Sequence, residues 1–69
     1  MSEKQLRQKL RRIGSRRKRL GSEEASLAED TTAVLRMAQG VIPMEEAAGL
    51  AGLSRSTAYE VYLREPIPE

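Results

Sequence analysis

Within residues 54–60 the chain places three hydroxyls (Ser54, Ser56, Thr57), a guanidinium (Arg55), a phenol (Tyr59) and a carboxylate (Glu60). Such a set donates and accepts hydrogen bonds in several geometries, which suits it to reading the polar edges of another molecule. It does not suit catalysis. The chain has no His and no Cys, so Ser–His and Cys–His nucleophile pairs, thiolate metal sites and metal binding through imidazole are excluded by inventory. A non-enzymatic binding module with no metal and no cofactor is expected. A second chemical group is electrostatic. Residues 1–21 hold nine of the twelve basic side chains (Lys4, Arg7, Lys9, Arg11, Arg12, Arg16, Arg17, Lys18, Arg19) and one acid, Glu3, a local charge of +8. Residues 22–69 hold three bases against nine acids, or −6. Affinity for a polyanion therefore resides mainly in the first 21 residues.

The elements that must position the polar cluster are legible in residues 44–63, MEEAAGLAGLSRSTAYEVYL. Counted from Met44, a small residue (Ala48) stands at the fifth position, where two helices cross closely. Gly52 stands at the ninth, where a tight turn needs φ > 0. Ala47, Ala51, Leu53, Ala58 and Val61 fill the places that must face inward for two short helices to pack steeply over a short turn. This is the pattern of a helix-turn-helix. Ser54 is expected to cap its second helix, which runs to about Arg64, with Pro66 and Pro68 preventing much extension. The polar residues that open this helix are those that meet base edges in the major groove.

The rest of the chain also reads as helix. Residues 2–20 form a basic helix that Ser2 can cap, with Leu6, Leu10, Ile13 and Leu20 along one face and Arg17 in a seam position of a heptad-like spacing. Gly14–Ser15 is a candidate interruption, and Gly21–Ser22 a stop or bend. A second helix is expected over 22–39, capped by Ser22 or by Ser26 with Glu29 three residues on, its apolar face built from Leu27, Val34, Leu35 and Ala38. Gly40 stops it. Pro43 opens a third helix, where its missing N–H costs nothing, and Glu45 and Glu46 complement the dipole of the first turn. Gly49 sits inside that helix at a cost of about 1 kcal/mol relative to Ala; either another helix passes close to it or it is a tolerated defect. Nothing reads as a strand. The expected fold is all-α: a small helix-turn-helix domain of about three helices over 22–65, preceded by a basic N-terminal helix or arm over 1–21 and followed by a short tail, 66–69.

The block from Val34 to Leu63 resembles the C-terminal DNA-binding domain of serine resolvases and invertases, and short bacterial helix-turn-helix regulators. The shared features are Ala38…Gly40, Pro43, Ala47-Ala48…Ala51-Gly52-Leu53-Ser54 and Thr57…Tyr59. The resemblance covers about half the chain and implies three short helices and a DNA partner. The catalytic domain of a recombinase has no counterpart here, so its activity does not carry over. Such motifs often place a basic residue after the aromatic of the second helix, whereas this chain has Glu60, which can accept from cytosine N4 but repels phosphate.

These readings converge on a sequence-specific double-stranded DNA-binding protein, a transcriptional repressor acting by promoter occlusion. Ser54, Arg55, Ser56, Tyr59 and Glu60 are the expected base readers, with Arg55 a bidentate guanine reader worth about 1–3 kcal/mol of discrimination. Thr57 is expected on a phosphate, as are Arg11, Arg12, Arg16, Arg17, Lys18 and Arg19. If seven phosphates are neutralised, log K falls against log salt with a slope of roughly −6. A homodimer reading half-sites about 10 base pairs apart is expected, with Leu6, Leu10 and Ile13 or the apolar face of the second helix as its interface. Tyr62 is expected to pack on the core with its hydroxyl at the surface, and for Tyr59 a groove contact and core packing both stay open. Three readings of the arm stay open: a phosphate or minor-groove contact, a dimerisation helix, or a solvated extension. Two further function classes also stay open, an architectural DNA-binding protein with little sequence preference and a helical module for a protein partner. A membrane partner is not expected: no apolar run approaches the roughly 18 residues of a span, and the arm's apolar face lacks Trp and Phe. The basic start lacks the apolar core of a secretory signal, so a cytoplasmic, nucleoid-associated location is expected.

Overall fold

The computed structural model describes residues 2–20 and 25–68. They form an all-α fold of α1 (Glu3–Leu20), α2 (Ala25–Ala38), α3 (Met44–Leu50) and α4 (Arg55–Thr57), the last continuing as a π-helix over Ala58–Leu63. There is no strand among the described residues. The break expected at Gly21–Ser22, the Ser22 cap and the side chains of Leu20 and Ser26 lie outside them.

Local chemistry accounts for most boundaries. Ser2 and Gln5 start α1 as a reciprocal capping box: the Ser2 hydroxyl accepts from the Gln5 N–H at 3.2 Å, and the Gln5 side chain accepts from the Ser2 N–H at 2.9 Å. Past the end of α2, Gly40 adopts φ +80, and the Val41 and Ile42 N–H groups close onto the Ala38 carbonyl at 3.0 and 2.9 Å. Pro43 is the N-cap of α3, one residue earlier than a first-turn proline, and its carbonyl accepts from the Ala47 N–H.

One core joins all of these elements. Leu6, Leu10 and Ile13 of α1 are buried in the same cluster as Leu27, Val34, Leu35 and Ala38 of α2, Ala47 and Ala48 of α3, and Ala58, Tyr59 and Leu63. Two expectations change as a result. Residues 1–21 are not an arm beside a separate body, because α1 supplies one wall of the only core the described residues form. The stripe Leu6–Leu10–Ile13, expected as a dimer interface, is spent inside the chain, and so is the apolar face of α2. A basic helix of 18 residues without a partner has little reason to stay helical in water. Here the apolar stripe gives it one.

The glycines inside helices trade roles. α1 runs through Gly14 without interruption, because α1 crosses the end of α3 there: a Cβ at Gly14 would collide with the Leu50 carbonyl oxygen. Gly49 has nothing within 4 Å of where its Cβ would stand, so it is the tolerated defect. Of the two readings left open for Gly49, the close approach is instead found at Gly14. Among the described residues no helix is long and apolar enough to cross a membrane.

Candidate nucleic-acid interface

The turn between α3 and α4 has the geometry that residues 44–63 predict. Gly52 sits at φ +76, and the Leu53 N–H returns to the Ala48 carbonyl at 2.8 Å. Ala47, Ala48, Ala51 and Ala58 are fully buried, and Leu53 is half-buried against the core. Ser54 is extended at φ −79, ψ 158, and its hydroxyl accepts from the Thr57 N–H at 3.2 Å, which is the N-cap. The same hydroxyl donates to the Thr57 hydroxyl oxygen at 2.8 Å and lies 3.2 Å from that of Ser56. Thr57 therefore receives one bond from within the cluster and keeps its own proton for an outside acceptor, as a phosphate contact requires.

Beyond Thr57 the helix widens, and the expected inward set changes. Val61, expected in the core, is 59% exposed, while Tyr59, expected to read bases, is only 9% exposed. Pitch accounts for Val61. With a regular 3.6-residue turn, the face that buries Ala58 returns near residues 61 and 62. The π-helical turn, with i→i+5 bonding, carries the chain further before it returns, so Leu63 is buried under Ala58 and Tyr59 instead. Leu63 buries one methylene more than Val61 would, about 0.8 kcal/mol of apolar transfer. The Arg64 N–H closes the last π-type bond onto the Tyr59 carbonyl, and Arg64 itself turns left-handed at φ 54 just ahead of Pro66.

The expected base readers thus divide. Ser56 and Glu60 are exposed, as is Ser54, whose hydroxyl is committed to the cap. Tyr59 is withdrawn into the core and is corrected from reader to packing residue. Arg55 lies over the Tyr59 ring, 5.3 Å from its centroid, and donates to the Pro68 carbonyl at 2.8 Å. Its fork faces its own chain.

The expected phosphate contacts divide in the same way. Arg11, Arg12, Lys18 and Arg19 are exposed. Arg17 is not a phosphate residue in this fold: its Nε donates to the Ala51 carbonyl at 3.3 Å, its Nη2 donates to the Thr31 hydroxyl at 3.1 Å, and its guanidinium lies 5.1 Å from the Tyr62 ring centroid. It pins α1 to the end of α3, to α2 and to the π-helix at once. Tyr62 is half-buried against the core, as expected. Arg16 is paired with Asp30 at 3.1 Å. Arg7 bonds Glu3 at 2.6 Å and also Glu46 of α3, and these two carboxylates raise its pKa above the ordinary arginine value. Residues 7, 11, 14 and 18 share a stripe of α1 at helical spacing. Since Arg7 and Gly14 both touch α3, Arg11 and Lys18 lie along the edge of α1 that borders α3.

Sequence reasoning missed Thr31. This fully buried threonine donates to the Leu27 carbonyl at 2.6 Å and accepts from Arg17. Its spacing from Leu27, Val34, Leu35 and Ala38 was a readable signal, since 31 falls on the same face of α2. No family model, no curated protein and no solved structure matches this chain.

Proposed function

We propose that this chain binds double-stranded DNA and reads its sequence through the α3–turn–α4 unit, acting as a transcriptional repressor that occludes a promoter. The observation that carries the reading is the joint geometry of the turn: Ala48 buried at the crossing, Gly52 at φ +76 and the capped Ser54, which together project Ser56, Thr57 and Glu60 from the first turns of a short helix. Exposed cations on α1 supply the phosphate contacts. With Arg16 and Arg17 engaged inside the fold, the exposed set Arg11, Arg12, Lys18 and Arg19 gives a salt slope of about −3.6 rather than roughly −6. Two copies on half-sites about one helical turn apart provide the affinity that one small unit lacks. With the Leu6–Leu10–Ile13 stripe already buried, those copies meet on the DNA rather than through it.

One observation favours a second reading. Across residues 54–65 the two arginines, Arg55 and Arg64, are matched by Glu60 and Glu65, and Arg55 is held by Pro68. An architectural protein that grips phosphates through α1 with little sequence preference would look the same. Selection of bound duplexes from a random library at near-physiological salt separates the two. An enriched inverted repeat supports the repressor, and retention without enrichment supports the architectural protein. No retention removes both and turns attention to a protein partner.

A further inference from the structure

We infer that the π-helical register of residues 58–63 makes Val61 and Glu60 the base-reading pair, Val61 packing against the 5-methyl group of thymine and Glu60 accepting from the N4 amino group of a neighbouring cytosine. The inference rests on the DNA-binding reading and specifies what that site recognises. Its basis is which side chains the widened turn turns outward. Ala58, Tyr59 and Leu63 are buried, so the opposite side of the helix is centred between residues 60 and 61. Ser56 and Thr57, one turn earlier, continue the same face. That face carries two hydroxyls and then one carboxylate and one apolar group.

The chemistry of each group selects its target. Val61 is the most exposed large apolar side chain among the described residues. In the major groove the apolar feature available to it is the thymine methyl. The carboxylate of Glu60 accepts hydrogen bonds, and the donor that cytosine presents there is its N4 amino group. The two are adjacent in sequence on one face, so they address neighbouring base pairs. Arg64 is exposed beyond Val61, on the wall of a groove of about 720 Å³ that Val61 shares with Thr32, Ala33 and Arg36. It offsets the repulsion between Glu60 and nearby phosphates. Arg55, the side chain a regular helix would nominate for guanine, is excluded because it faces Tyr59 and Pro68. π-Helical turns inside helices are frequent at functional sites, and here the turn changes which residues are presented.

The test uses the full chain. Duplex selection is run with the wild type, Val61→Ala, Glu60→Gln and Arg55→Gln. The enriched duplex is then remade with deoxyuridine replacing thymidine one position at a time, which removes only the methyl. The expected result is one position per half-site where deoxyuridine weakens wild-type binding about fourfold, the effect of losing one buried methyl. At that position Val61→Ala is indifferent to the replacement. Glu60→Gln relaxes a cytosine preference at the neighbouring position, and Arg55→Gln leaves the motif unchanged. Val61 and Glu60 are exposed, so both variants keep the wild-type fold by circular dichroism. A wild type that enriches a motif, with no deoxyuridine-sensitive position that Val61→Ala abolishes, overturns the inference and leaves the DNA-binding reading standing. A motif altered by Arg55→Gln but not by the other two does the same. A wild type that enriches nothing overturns both.

Discussion

Two helices of this chain carry candidate contacts to DNA, and they are built on opposite terms. α1 is a long, regular helix whose apolar residues and most of its cations occupy separate faces, Arg17 in the apolar seam being the exception. Leu6, Leu10 and Ile13 are buried, while Arg11, Arg12, Lys18 and Arg19 are exposed. The short helix that begins at Arg55 changes pitch after one turn, and the change turns Val61 out of the core while Tyr59 is buried beside Ala58. In α1 the sequence period alone assigns the faces, because 18 residues at constant pitch average over any local irregularity. In the shorter helix a single extra residue per turn reassigns them. The apolar face of a long helix is therefore read from spacing, whereas the side chains a short helix presents depend on what the core selects for burial.

The contrast has consequences that can be measured. The largest expected effect is at the crossing that fixes α1 to α3. Gly14→Ala drives a methyl into the Leu50 carbonyl and is expected to cost about 3 kcal/mol, seen as a lower urea midpoint. An unchanged midpoint would mean that the helices separate freely at this point. Next is Arg17→Met, which removes the bonds to Ala51 and Thr31 and the stacking on Tyr62. It is expected to cost about 2 kcal/mol in the same assay, and a purely electrostatic effect on DNA affinity at full stability would return Arg17 to the phosphate set. Gly49→Ala should have the opposite sign. Its Cβ meets nothing within 4 Å, so the variant is expected to gain about 1 kcal/mol from helix propensity. The smallest stability effects belong to the outer face of α1. Arg11→Gln and Lys18→Gln should stay within about 0.5 kcal/mol of the wild type. Each should reduce the magnitude of the salt slope of DNA binding by about 0.9, and an unaltered slope would remove that edge from the interface.

Much of the candidate site was legible before any coordinates. Gly52 in the turn, Ser54 as the cap and the alanines at the crossing all follow from chemistry that acts over three or four residues, and the fold places each as expected. The exposure of Ser56 and Glu60 follows as well. Three assignments were not legible, each because it depends on a neighbour distant in sequence. Gly14 resembles a helix breaker until Leu50 is seen against it. Arg17 is one cation among nine in residues 1–21 until Ala51, Thr31 and Tyr62 converge on it. The heptad-like stripe of α1 suits a second copy as well as it suits α2 and α3, since an apolar face does not specify which apolar face covers it.

The sequence by itself determined that the regular elements of the described residues are all helices, where α1 and α4 begin, that it has no His or Cys chemistry, and that its positive charge is concentrated in the first 21 residues. Helix periodicity, capping and charge are properties of short stretches, so a linear reading reaches them. Only the tertiary structure decided that α1 belongs to the core, that Gly14 rather than Gly49 marks the close crossing, and that residues 58–63 widen to present Glu60 and Val61. Those outcomes turn on which surfaces meet and how closely they pack, and a change of roughly 20° per residue, invisible in the sequence, is enough to exchange a buried side chain for an exposed one.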